Sequence, residues 1–226
     1  MIEGILLVDK PRGNPSFSLI TALRKKLNIK KIGHAGTLDP FATGVMVLLV
    51  GRNFTKKADK FLNDDKEYIA RLKLGVATDS FDCDGETLFT SEVVPTLDQI
   101  QKELFHFQGE VQQIPPMFSA KKRNGKPLYL LARKGETVER DPVTVSMKVD
   151  VLNYEYPFLD LKVECSKGTY VRAIADDLGK KLECGAHLTQ LKRTRSGIYA
   201  LEQCIDGEKL FSPNISKEEI EANVIQ

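Results

Sequence analysis

Gly33-His34-Ala35-Gly36-Thr37-Leu38-Asp39-Pro40-Phe41-Ala42-Thr43-Gly44 runs straight into the apolar stretch Val45-Met46-Val47-Leu48-Leu49-Val50, which Gly51 closes. The first part reads as a loop. Its glycines let backbone approach a ligand closely. Pro40 pushes Asp39 toward an extended conformation and so limits where its carboxylate points. Taken alone, an Asp-Pro step in a glycine-rich loop is a turn. The six apolar residues that follow are too few to span a bilayer and read as a buried strand.

Working outward, residues 4–9 (Gly-Ile-Leu-Leu-Val-Asp) predict a short buried strand that ends in a turn at Lys10-Pro11-Arg12-Gly13. A helix to about Leu27 follows, capped by Ser16 or Ser18, with Leu19, Ile20, Leu23 and Leu27 on one face. Further helices are expected around 55–62, over 97–107 behind Thr96, over 128–134, and from Tyr170 to Leu182. Strands are expected at 68–74, 143–154, 158–165, 188–194 and 197–201. Gln112 to Lys126, rich in Pro, Gly and Lys, reads as irregular, 79–86 as an acidic loop, and the tail from Ser212 as polar and marginal. Strands and helices mix without a regular βα alternation, so the expected class is α+β.

The 226 residues are 42% hydrophobic and 28% charged, the balance of an ordinary globular protein and not of a disordered or membrane chain. The start lacks a basic segment ahead of a long apolar core, so no secretory signal is expected. Cys83, Cys165, Cys184 and Cys204 form no CxxC pair, and His34, His106 and His187 are scattered. Reduced thiols in a cytoplasmic protein, with no metal site, are the expectation. Net charge is only +2, yet bases cluster at Arg24–Lys31, at Lys121-Lys122-Arg123 with Lys126, and at Lys192-Arg193 with Arg195. Such clusters on a near-neutral chain can form one positive face; each by itself reads as solvated surface.

Four more stretches carry candidate chemistry. Lys66-Glu67-Tyr68 opens a strand. Pro115-Pro116-Met117-Phe118-Ser119-Ala120-Lys121-Lys122-Arg123-Asn124-Gly125-Lys126 suits a loop that closes on phosphates. Gly168-Thr169-Tyr170-Val171-Arg172 leads into Ala173-Ile174-Ala175-Asp176-Asp177. On an extended turn Tyr170 and Arg172 would share a face; on the first turn of a helix they would not. Arg172 would hold a nearby catalytic carboxylate ionised, or pair with Asp176 one turn on. The last stretch is His187-Leu188-Thr189-Gln190-Leu191-Lys192-Arg193-Thr194-Arg195-Ser196-Gly197.

Together these stretches resemble the TruB family of tRNA pseudouridine synthases, in that family's order and with its approximate spacings, from Gly4 to about Leu210. The resemblance implies a pseudouridine synthase fold: a mixed, mainly antiparallel sheet with flanking helices and a central catalytic cleft. It implies a catalytic domain over 1–211, a thumb-like segment at about 112–140, and a short tail over 212–226 without the family's frequent PUA domain. Asp39 matches the catalytic aspartate, Tyr68 the tyrosine that stacks on the target base and is a catalytic candidate for proton handling, and Arg172 the arginine paired with the aspartate. Tyr170 and Leu191 match residues lining the uridine pocket. His34 matches the histidine that fills the space left when the RNA loop opens, and Lys10 a residue of the pocket region. After Lys10-Pro11 the family usually has Thr-Ser-His-Asp or similar, where this chain has Pro15-Ser16-Phe17-Ser18.

The implied reaction converts a uridine to pseudouridine, at uridine 55 in the T loop of tRNA. The implied partner is the tRNA T arm, with no cofactor, membrane or obligate protein partner. A target base inside a folded loop must be flipped out at a cost of roughly a few kcal/mol. Stacking on Tyr68 would return roughly 1–3 kcal/mol of that. A non-catalytic RNA-binding or tRNA-folding factor, or a nucleoside glycosylase, are the competing readings. The glycosylase would call for two cooperating carboxylates, and no convincing second one stands out.

Overall fold

The computed structural model describes residues 2–123 and 125–226. Strand β1 (Gly4–Lys10) leads to helix α1 (Ser16–Leu27), whose Leu19, Ile20, Leu23 and Leu27 are buried as their spacing requires. The predicted serine cap is not there. Pro15 occupies the N-cap position and no side chain caps the helix. Ser16 is buried, and its hydroxyl donates to Leu38 O at 2.7 Å and accepts from Leu38 N at 2.9 Å. Ser18 Oγ donates to Pro15 O. A tertiary partner has outcompeted the local cap. Asn28, with φ 56°, ends the helix in the left-handed region that Asn tolerates.

The glycine-rich stretch begins with a short strand, β2 (Ile32–His34), where a loop was expected, and continues into β3 (Thr43–Val50). The helix expected over 55–62 is two shorter ones, α2 (Arg52–Thr55) and α3 (Ala58–Leu62). β4 (Lys66–Leu74) alternates as predicted, with Ala70, Leu72 and Leu74 buried. There follow β5 (Val76–Thr78), β6 (Thr87–Thr90) and α4 (Leu97–Leu104). Thr96 caps α4 in a reciprocal box with Gln99, and a 3-10 turn continues it to Phe107. β7 (Gly109–Gln113) takes the start of the segment expected to be irregular. A small hairpin, β8 (Lys122–Arg123) with β9 (Lys126–Pro127), precedes α5 (Leu128–Ala132). Asn124 of that basic segment lies outside the described residues.

β10 (Val143–Glu155) and β11 (Phe158–Cys165) form a long antiparallel hairpin. They are followed by α6 (Val171–Lys181) and β12 (Ala186–Ser196). Of the strand expected at 197–201 only β13 (Tyr199–Ala200) forms; Leu201 opens a 3-10 turn. β14 (Ile205–Asp206), α7 (Glu208–Phe211) and α8 (Lys217–Ala222) complete the chain. The tail read as marginal is therefore folded. Ser216 caps α8, Ile220 is fully buried, and Ile225 exchanges both backbone hydrogen bonds with Ile5.

The chain divides into two compact units, one running to Ile69 and resuming at Leu191, the other Ala70–Gln190; the divisions fall inside β4 and β12. In the first unit β3 pairs antiparallel with β1 and β2 and parallel with β12, while β14 pairs parallel with β1. Ile5, Leu7, Val45, Val47 and Leu49 share one face of this sheet, covered by Phe54, Phe61, Leu62 and Tyr199. The alternate residues Leu6, Val8, Met46, Leu48 and Val50 are equally buried. A sheet covered on both faces explains the unbroken apolar run of β3. In the second unit β10 pairs antiparallel with β7 and β11, and β5 with β6. The fold is α+β, its sheets mixed and mostly antiparallel.

Candidate active site

Asp39 stands in a loop, residues 35–42, gripped at several points. At its start Ala35 N donates to Val47 O at 2.9 Å. In the middle Ser16 holds Leu38 by both its backbone groups. At its end Gly13 N donates to Pro40 O at 2.8 Å. Beneath it lie two buried cations. Lys10 is wholly buried, and its ammonium donates to Pro11 O at 2.9 Å, Pro40 O at 3.1 Å and Ala42 O at 2.7 Å. Three acceptors match the three N–H donors of an ammonium. Burial brings the Lys10 pKa down to about 8. The negative charge of Asp39 opposes that fall, Arg193 adds to it, and Asp9 opposes it.

The second cation is Arg193, 1% exposed. Its Nε donates to Val45 O at 2.7 Å, and Nη2 lies 3.2 Å from both Gly36 O and Met46 Sδ. The sequence counts Arg193 within a basic surface cluster, but it sits two residues after buried Leu191 with exposed Lys192 between. That period-2 alternation is the signal that places it inward. Gly44 pairs with Arg193 across β3 and β12 and has φ +105°. A Cβ there would meet Arg193 O at 2.2 Å, so the close approach of the two strands requires glycine. His34 is half-buried, and Nδ1 has no hydrogen-bond partner among the described residues. Burial, then Arg193, holds its pKa below the ordinary value. Tyr68 is half-buried on β4, and Leu191 is buried on β12.

Tyr170 and Arg172 belong to the second unit. Tyr170 is the N-cap residue of α6, with extended backbone, and Arg172 is the second residue of the helix. Gln113 locks that entry: its Oε1 accepts from Tyr170 N at 2.8 Å and its Nε2 donates to Tyr170 O at 3.1 Å. Arg172 is buried. Nη1 donates to Ser80 O at 2.8 Å and lies 3.3 Å from Asp82 Oδ2, while Nη2 donates to Phe118 O at 2.8 Å. Asp176, the helical partner considered from sequence, pairs with Lys180. Asp82 is itself buried and accepts from Ser80 Oγ at 2.6 Å and Asp84 N at 3.1 Å. The acidic loop is thus partly internal. Arg172 ties it, and the segment around Phe118, to the start of α6.

The basic hairpin β8–β9 is stapled by backbone bonds from Leu128 N to Lys121 O and from Tyr129 N to Ser119 O. Lys121, Lys122 and Arg123 are exposed. All four cysteines are free, and among the described residues no group of three or more His, Cys, Asp or Glu is placed to hold a metal ion. Among the described residues no helix is long and apolar enough to cross a membrane.

The α+β fold is that of the pseudouridine synthase class, and in it Asp39 stands on a loop held by two buried cations. Residues 24–171 match the TruB family pseudouridylate synthase N-terminal domain, and residues 172–223 the tRNA pseudouridylate synthase B C-terminal domain. The chain belongs to the TruB family of pseudouridylate synthases. It is 60% identical over 211 residues to the tRNA pseudouridine synthase B of Protochlamydia amoebophila, covering 93% of this chain and 80% of that protein. It is 58% identical over 212 residues to the protein of the same name from Chlamydia felis, covering 94% and 90%. Among solved structures it resembles a Cbf5-Nop10-Gar1 complex, with TM-score 0.72 and 28% identity over 97% of this chain; it spans 59% of the matched chain.

Proposed function

We propose that this chain isomerises a uridine to pseudouridine in tRNA, at uridine 55 of the T loop, in the cytoplasm, with Asp39 as the catalytic carboxylate. The observation that carries this reading is the loop itself. Asp39 sits between backbone points held by Lys10, Ser16 and Gly13, so its carboxylate is offered from a fixed base. Fixed geometry is what a carboxylate needs when it must act on one atom of a flipped nucleotide.

The reaction breaks the bond from N1 of uracil to C1′ of the ribose, rotates the base, joins C5 to C1′, and moves the C5 proton to N1 through a base. Nothing is oxidised and no group leaves the product, so the reading calls for no cofactor. Asp39 attacks the ring or the sugar, or stabilises the intermediate. Tyr68 stacks on the base and is the candidate for handling its proton, Tyr170 and Leu191 line the base's pocket, His34 takes the space left by the opened loop, and Arg172, by the family resemblance, pairs with the catalytic aspartate. The exposed hairpin Lys121–Lys126 contacts phosphates of the T arm.

The test is to map pseudouridine in an unmodified tRNA before and after treatment with the purified protein. Pseudouridine at uridine 55 is the expected result. Free uracil would mean a glycosylase, and no change a binding factor; either contradicts the proposal.

A further inference from the structure

Arg193 is the largest fully buried side chain among the described residues, and nothing in the proposed chemistry uses it. Its guanidinium bonds two backbone carbonyls and a thioether, not a carboxylate, among the described residues. One of these carbonyls belongs to Gly36, at the start of the Asp39 loop; the other, Val45 O, lies just beyond its end. Gly36 has φ +97°, and Arg193 Nη1 would stand 3.5 Å from a Cβ there. Lys10 grips the far end at Pro40 and Ala42. Asp39 lies between the two grips.

We propose that Arg193 is a positioning residue for the reaction: it anchors the Gly36 end of the loop so that Asp39 keeps its aim, and it touches no RNA. This rests on the reading of Asp39 as the catalytic carboxylate. It also sets the charge balance under the loop. Lys10 faces Asp39, Asp9 and Arg193, and Arg193 works against the Lys10 proton. His34 and Cys204 feel Arg193 too, but burial holds the histidine pKa down and pushes the thiol up to about 12. Neither changes charge between pH 7 and 9.5. Uracil N3–H also ionises in alkali, so Lys10 is read from the shift of the alkaline limb between variants and not from the limb itself.

The experiment compares wild type, Arg193→Met, Arg193→Lys and Asp39→Asn. It measures single-turnover pseudouridine formation on a prefolded T-arm stem-loop from pH 6.5 to 9.5, RNA affinity, and thermal unfolding. Arg193→Met should lower the rate about 100-fold, as a displacement near 1 Å does. RNA affinity should hold, and the alkaline limb should move to higher pH, because a like charge beside Lys10 is gone. Arg193→Lys keeps the charge but cannot span both carbonyls. Its rate should fall about tenfold with the limb unmoved. A wild-type rate in either variant, or a loss confined to RNA affinity, overturns the proposal. If Arg193→Met does not fold, Arg193→Lys decides by the same criteria. Activity surviving in Asp39→Asn would refute the Asp39 reading instead; a dead Asp39→Asn beside an unaffected Arg193→Met refutes this inference alone.

Discussion

Lys10 is a buried ammonium whose partners are all carbonyl oxygens, and its proton links stability and activity in opposite senses. Its folded pKa, about 8, lies below the ordinary 10.5 because burial disfavours the charge. Between those values the unfolded chain binds more protons than the folded one, so stability rises with pH across that window. Below it the whole penalty applies, about 3 kcal/mol. A neutral amine has only two N–H donors for three carbonyls and no charge beside Asp39. From pH 7.5 to 9.5 the wild type should therefore gain thermal stability relative to Lys10→Met, while its rate of pseudouridine formation falls. A melting-temperature difference that stays constant across that range would contradict the assignment. The family resemblance placed Lys10 in the pocket region; in the structure its amine serves the loop backbone. Arg193 and Asp82 were read as parts of charged clusters. Strand alternation marks Arg193 as inward, but the partners lie far away in sequence, Val45 for Arg193 and Arg172 for Asp82, so no local pattern names the partners.

Elements with strong periodicity were legible: β1, β3, β4, α1 and the β10–β11 hairpin stand where apolar spacing places them. Elements set by tertiary contact were not. Ser16 is a good N-cap residue, yet it is spent on Leu38 because α1 abuts the Asp39 loop there. The tail looked marginal because it is mostly polar and its isoleucines, Ile215, Ile220 and Ile225, are too sparse to mark one face of an element. Two of them are buried on their own account and the third pairs with β1. The β8–β9 hairpin is the element whose role is most directly tested. Changing Lys121, Lys122 and Arg123 together to Ala should weaken RNA binding and flatten the plot of log affinity against log salt by about two to three units. Turnover at saturating RNA should change less. Parallel lines for wild type and variant would mean that the hairpin does not meet phosphate.

At the scale of the molecule, the unit that holds Asp39 is assembled from both ends of the chain. β1 pairs with β3 and β14, and Ile5 with Ile225, so the loop rests on a sheet closed by the last residues of the sequence. Its core is covered on both faces, and the cations beneath the loop are sealed from water. That rigidity is what the account asks of the protein: a carboxylate aimed by the fold. A net charge of +2 hides this arrangement, because buried cations and exposed basic segments serve different ends and composition does not separate them. The most direct test of the central claim is Asp39→Asn, assayed for pseudouridine formation in a prefolded T-arm stem-loop alongside RNA affinity. The amide keeps the shape and loses the charge and the nucleophile. The account predicts no detectable product with RNA binding close to wild type; a rate within about tenfold of wild type would contradict it.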